Sequence, residues 1–128
     1  MDLTPLIPEG RQIVESYGEG RFRVSGQVYR GGILIFPERT IPWAVTLAGE
    51  ASLENLEPIV ASGQQGAVEL LLFGQGPSMQ PVSPELRQGL KAAGVILEAM
   101  DTGAACRTYN VLMADGRRVA AALIAFTA

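Results

Sequence analysis

Three short runs of almost unbroken apolar residues constrain this chain more than any other feature: Ile33-Leu34-Ile35-Phe36, Ala67 to Phe73 (AVELLLF) and Val119 to Phe126 (VAAALIAF). Each falls far short of the roughly 20 residues that a helix needs to span a bilayer. Apolar runs of this length, without polar alternation, mark strands covered on both faces. A sheet with layers on either side supplies that cover, which indicates an α/β domain.

The segments between these runs supply the layers. Ser83 is placed to N-cap a helix whose first residue is Pro84, where the missing N–H costs nothing, and Glu85 complements the helix dipole. Leu86, Leu90 and Ala93 share one face of it, and Gly94 supplies its stop. Val95 to Met100 reads as a strand. Asp101-Thr102 then opens a second helix, with Ala105, Cys106, Tyr109, Leu112 and Met113 along one face and Asp115-Gly116 at its end.

Earlier in the chain, ASLENLEPIVASG predicts two short helical turns around Pro58, with Ser52 as an N-cap. Phe22, Val24 and Val28 alternate with polar residues, and Arg30-Gly31-Gly32 reads as a turn, so this part predicts an N-terminal β hairpin layer. Pro37 to Pro42 break the pattern, and Trp43 to Leu47 reads as a further short strand. The predicted organisation is an irregular arm over residues 1–20 and a single α/β domain over residues 21–128.

Charge and composition narrow the function. The formal net charge is −3, and no run of Lys or Arg exceeds the pair Arg117-Arg118. A row of phosphate-neutralising cations is missing, which disfavours nucleic acid as a partner. Histidine is absent and cysteine occurs once, as Cys106. Together these remove Ser-His-Asp and Cys-His catalytic arrangements, His-containing zinc sites and thiolate clusters. On the apolar face of its helix, Cys106 reads as a small buried hydrophobe. No metal and no cofactor is expected, and the carboxylates Glu38, Glu50, Glu54 and Glu57 read as a solvated face. Pro5, Pro8 and Glu9 interrupt any signal-peptide pattern at the N-terminus. The expectation is a cytoplasmic protein without membrane insertion.

The stretch LLLFGQGPSMQPVSPELRQGL, Leu70 to Leu90, raises the question of a phosphate cradle. A dinucleotide fingerprint needs a third glycine where Met79 stands, and a Walker loop needs a lysine that never arrives. Pro77 and Pro81 also delete two backbone donors. The bland alternative is a stiff strand-to-helix exit in which Gly74 and Gly76 relieve steric conflict. One functional possibility survives. If the strands ending at Phe73 and Met100 are parallel neighbours, the two helix starts at Ser83 and Thr102 point toward one crevice able to hold a small anion. Its expected lining is Gly74, Gly76, Ser78, Ser83, Thr102, Arg107 and Asn110. Arg107 has a competing structural fate, an ion pair with Asp101 or Glu98.

The blocks GGILIFPERTIPW, LLFGQGPSMQPVSPELRQGLKAAG and EAMDTGAACRTYNVLMADGRRVAAALI together resemble a family of small α/β domains of unknown function, the Mth938-like domains. That family includes mitochondrial complex I assembly factor 3 and a cytosolic protein associated with adipogenesis. The resemblance runs from about Phe22 to Phe126, and its most specific part is a T-x-x-A-x-R-T-Y-N core at Thr102, Ala105, Arg107, Thr108, Tyr109 and Asn110. It implies a three-layer (β+α)/β/α fold around a mixed five-stranded sheet, with the last strand internal and antiparallel. It also implies a non-enzymatic, assembly-factor-like role carried by a protein partner, with respiratory complex I or membrane-protein assembly as the analogy. The alternative is a small-molecule or anion-binding protein or enzyme working in the crevice.

Overall fold

The computed structural model describes residues 10–125. Its elements, in chain order, are β1 (Val14–Gly18), β2 (Arg21–Val24), β3 (Gln27–Arg30), β4 (Gly32–Ile35), β5 (Thr40–Trp43), α1 (Glu57–Gln64), β6 (Leu70–Gly74), α2 (Pro84–Ala92), β7 (Ile96–Met100), α3 (Thr102–Ala114) and β8 (Val119–Leu123). A 3-10 turn, Ala48–Glu50, lies between β5 and α1. Strands β1, β2 and β3 form an antiparallel sheet, and the other five form a mixed sheet in the order β5-β4-β8-β6-β7.

The three-layer arrangement follows from how the apolar side chains divide. One core joins Leu71 and Phe73 of β6, Leu97 of β7 and Ala120 and Ala122 of β8 to Ile59 of α1 and Leu86 and Leu90 of α2. The other joins Leu72, Ala121, Leu123, Ile33 and Ile35 to Ala105, Cys106, Tyr109 and Met113 of α3 and to Phe22 and Val24 of β2. Alternate residues of the same strands feed opposite cores, as the two-residue period of a strand requires. Helices α1 and α2 therefore cover one face of the central sheet, while α3 and the small β sheet cover the other. All five residues of β8 are fully buried, which is why this strand carries no polar side chain.

The final strand is internal, as expected, but its orientation needs correcting. It runs parallel to β6 and antiparallel only to β4. Because β4 is also antiparallel to β5, it is β4 that opposes the other four strands. The N-terminal layer also exceeds a hairpin, since β1 adds a third strand within the segment expected to be an irregular arm. Only Val14 of its five residues is buried, so no apolar alternation announces it. Residues 1–9 of that arm, and Phe126 of the last apolar run, lie outside the described residues.

Two boundaries also differ from expectation. Strand β5 ends at Trp43 and contains Pro42, where Trp43 to Leu47 was expected. A sheet edge tolerates a residue without an N–H, and β5 is an edge strand. Trp43 is buried against Phe73, with ring centroids 6.0 Å apart and planes at 70°, and its indole N–H donates to the Asn55 carbonyl at 2.9 Å. Pro58 lies in the first turn of α1, where it is harmless. Ahead of it a separate turn is closed reciprocally, with Ser52 N–H donating to Asn55 Oδ1 and Asn55 N–H to Ser52 Oγ.

Candidate functional site

Helix α2 begins as the sequence requires, with Ser83 Oγ accepting from Leu86 N–H at 3.2 Å. Helix α3 begins with Asp101, whose carboxylate accepts from Ala104 N–H at 2.9 Å. Strands β6 and β7 are parallel neighbours, so both helices leave the same end of the sheet. They then pack on opposite faces, with Ser83 at the head of the helix beside α1 and Thr102 at the head of the helix on the other face.

The seven expected lining residues are distributed over several environments. Gly74 closes β6 in a space too tight for a side chain: an added Cβ would lie 2.9 Å from Leu123 Cδ2 and 3.0 Å from Thr102 Cα. Gly76 has φ +89°, the left-handed region, and is buried. Ser78 is exposed on the loop, and Ser83 edges a small pocket of about 50 Å³ on the α1/α2 face. Arg107 and Asn110 border a separate groove between α3 and β1.

Thr102 is fully buried and works as a lock. Its hydroxyl donates to the Ile124 carbonyl and accepts from Gly76 N–H, both at 2.8 Å. The Thr102 N–H donates back to the Gly76 carbonyl at 2.9 Å, and Ile124 N–H donates to the Gly74 carbonyl at 2.9 Å. One hydroxyl thus ties the start of α3 to the exits of β6 and β8. The Gly76 N–H that an anion would need is already taken.

The rest of the T-x-x-A-x-R-T-Y-N core is occupied in the same manner. Ala105 packs beside Gly74, at 3.1 Å from the position of the missing Cβ. Tyr109 is fully buried, and its hydroxyl donates to the Gln12 carbonyl at 3.0 Å. Asn110 copies a β-ladder rung: its Oδ1 accepts from Val14 N–H at 3.0 Å and its Nδ2 donates to the Val14 carbonyl at 2.8 Å. Exposed Arg107 donates to Tyr17 Oη at 3.1 Å, and neither Asp101 nor Glu98 pairs with it. Cys106 is buried, and burial pushes its thiol up to about 12, far from the thiolate that nucleophilic work requires.

Of the four carboxylates read as a solvated face, Glu50 has a specific structural task. It accepts from Thr46 N–H and Leu47 N–H, each at 3.0 Å. These bonds, with a further one from the Thr46 hydroxyl, hold its carboxyl below the usual range. Among the described residues, no group of three or more His, Cys, Asp or Glu could hold a metal ion.

A residue that sequence reasoning passed over stands between the two glycines. Gln75 is only 5% exposed, its backbone N–H donates to the Met100 carbonyl at 2.9 Å, and its Oε1 accepts from Gln80 N–H. Its Nε2 has no partner among the described residues. It lines a groove of about 520 Å³ at the carboxyl ends of β6 and β8, together with Val45, Leu47, Gly76, Pro77 and Ile124. The available signal was a long polar side chain placed directly after a fully apolar strand.

A family model described as "Protein of unknown function (DUF498/DUF598)" matches residues 14–124. An uncharacterised protein of Rhodobacter capsulatus is 41% identical over 111 residues, covering 87% of this chain and 82% of the relative. The Danio rerio NADH dehydrogenase [ubiquinone] 1 alpha subcomplex assembly factor 3 is 30% identical over 112 residues, 88% of this chain but only 63% of the assembly factor. The human protein of that name is 26% identical, with 59% of its length covered. Among solved structures, a Bartonella henselae protein described as an outer membrane protein superposes with TM-score 0.84 at 33% identity, covering 91% of this chain and 97% of that one. A Mth938-like domain of Bordetella pertussis gives TM-score 0.83 at 30% identity, covering 97% and 92%. With the family model spanning both sheets and all three helices, this chain belongs to the DUF498/DUF598 family of Mth938-like domains.

Proposed function

We propose that this chain is a non-enzymatic protein-interaction domain of the assembly-factor type, acting in the cytoplasm on a subunit of a respiratory NADH dehydrogenase. The observation that carries this reading is the structural use of its most distinctive residues. Thr102, Tyr109 and Asn110 each spend their polar atoms on backbone groups elsewhere in the chain. Residues consumed in this way build a rigid body, and a rigid body offers surfaces. The relatives named as assembly factors support the choice of partner class, although this chain spans only about 60% of their length. Among the described residues no helix is long and apolar enough to cross a membrane.

The test is made in a bacterium that carries this protein together with a respiratory NADH dehydrogenase. Deletion is expected to reduce the assembled enzyme on native gels, and the tagged protein is expected to capture its subunits after crosslinking. Unchanged levels of assembled enzyme, together with capture that does not enrich its subunits, would overturn the reading.

A further inference from the structure

Gln75 Nε2 is the single buried side-chain polar atom without a partner among the described residues. A buried donor left unmet costs about 1–3 kcal/mol, so a specific occupant for it is worth seeking. Flipping the amide does not help. Its Oε1 already accepts from Gln80 N–H, and a flip would set two donors against each other. The NH₂ nitrogen has less than 1 Å² of accessible surface, so an outside acceptor reaches it only when the Gln75–Gln80 loop shifts to open it to one of the two cavities that Gln75 lines.

The larger of these has a definite chemical character. No charged side chain lines it among the described residues, and four of its lining residues are glycines, Gly20, Gly31, Gly32 and Gly76. At Gly20, Gly31 and Gly76 an added Cβ would meet nothing within 4 Å, so such bare backbone permits another backbone to approach closely. Gly32, by contrast, is already packed against the Trp43, Val45 and Leu123 carbonyls. The same lining includes Val45, Leu47, Pro77 and Ile124, with Leu47 66% exposed. Met79, also 66% exposed, projects from the same loop as Pro77. The groove lies beyond the carboxyl ends of parallel strands, where open α/β sheets usually bind their ligands.

We infer that this groove takes a short, uncharged, apolar segment of a partner protein, with one of its main-chain carbonyls accepting the hydrogen bond from Gln75 Nε2. An anion would find no cation in the lining. A hydrocarbon chain would cover Leu47 and Val45 but leave the amide unmet. An apolar peptide satisfies both demands, since its side chains cover the apolar wall while its carbonyl supplies the acceptor. The inference rests on the protein-interaction reading above and assigns it a surface.

The blocked tripeptide Ac-Ala-Leu-Ala-NHMe serves as the probe, titrated into ¹⁵N-labelled protein beside Ac-Ala-Asp-Ala-NHMe. The expected result is a saturable downfield shift of the Gln75 side-chain NH₂, with shifts at Ala48 and Gly76, for the leucine probe only. Gln75→Met removes this donor together with the Oε1 that accepts from Gln80 N–H, and should weaken the leucine probe at least about tenfold. Leu47→Asp, at an exposed position with little bearing on folding, should abolish the response. The inference fails if no shift saturates, if both probes act alike, or if either variant binds as well as the parent. It fails too if the Gln75 NH₂ shows transfer only to a long-lived water in the 50 Å³ pocket. The two readings separate cleanly. Subunit capture that survives both substitutions overturns the groove alone, whereas probe binding without any assembly phenotype overturns the assembly function alone.

Discussion

Replacing Thr102 by valine removes one oxygen and keeps the shape, so the change isolates the hydroxyl. That hydroxyl meets two buried backbone groups, the Gly76 N–H and the Ile124 carbonyl. Each group left without a partner costs about 1–3 kcal/mol, and the added methyl returns about 1 kcal/mol through burial. The expected net loss for Thr102→Val is about 1–5 kcal/mol, centred on about 3, a large fraction of the stability of an ordinary domain. Thr102→Ser is the control. It keeps both bonds and deletes one buried methyl, for about 1 kcal/mol. Urea unfolding followed by circular dichroism at pH 7 measures the difference. With a slope of about 1–3 kcal/mol per molar, the midpoint should fall by about 1–2 M for valine and about half that or less for serine. Equal midpoints for the two variants would show that the hydroxyl does not lock these strand exits.

Gly74→Ala should destabilise by about 1–3 kcal/mol because Leu123, Thr102 and Ala105 already fill the space of its Cβ, whereas Gly49→Ala, with open space around it, should fall within about 0.5 kcal/mol of the parent in the same assay. Asn110→Ala removes both bonds that hold Val14, so a loss of about 1–3 kcal/mol is expected together with faster hydrogen exchange at the Val14 amide; unchanged exchange there would refute the docking role. The Cys106 thiol has its ordinary value of 9.0 when unfolded and about 12 when folded, so its contribution to stability is whole below pH 9 and disappears as pH rises from 9 to 12. The slope approaches about 1.4 kcal/mol per pH unit, and Cys106→Ala should flatten the fall of the urea midpoint over that range by this amount. Burial raises Tyr109 as well, and its contribution at alkaline pH is common to both proteins.

What the sequence makes legible here is what local chemistry decides. Ser83, Pro84, Glu85 and the spacing of Leu86 and Leu90 specify α2 within one short stretch, and the structure agrees. The unbroken apolar character of β8 likewise reports its central position, because a strand buried on both faces has no room for polar alternation. Strand β1 escapes the same logic, since its burial rests on Val14 alone and its anchor, Asn110, lies 96 positions away. The candidate site eludes it for a related reason. Both helix starts at one sheet edge could be inferred from strand order, but which face each helix covers depends on the crossovers. Arg107 illustrates the point, for its acceptor is Tyr17, 90 positions earlier and inside the supposed arm.

The lock and the groove share one residue, and that makes them thermodynamically linked. Gly76 lines the groove, yet its N–H is held by Thr102, which does not line it. Gln75 hangs between the same anchors, with its backbone tied to Met100 on one side and the Gly76 bonds on the other. Releasing the Gly76 N–H should therefore let the loop explore positions in which Gln75 no longer faces the peptide carbonyl. Any ligand would then have to restore the loop before binding, which lowers apparent affinity by the fraction of competent molecules. Thr102→Val is accordingly expected to weaken Ac-Ala-Leu-Ala-NHMe several-fold at temperatures where the protein remains folded, while Thr102→Ser binds like the parent. The same titration reads it, with amide dispersion as the check on folding. If the valine variant is destabilised but binds the probe with undiminished affinity, the lock supports the fold without setting the groove, and the coupling through Gly76 is disproved.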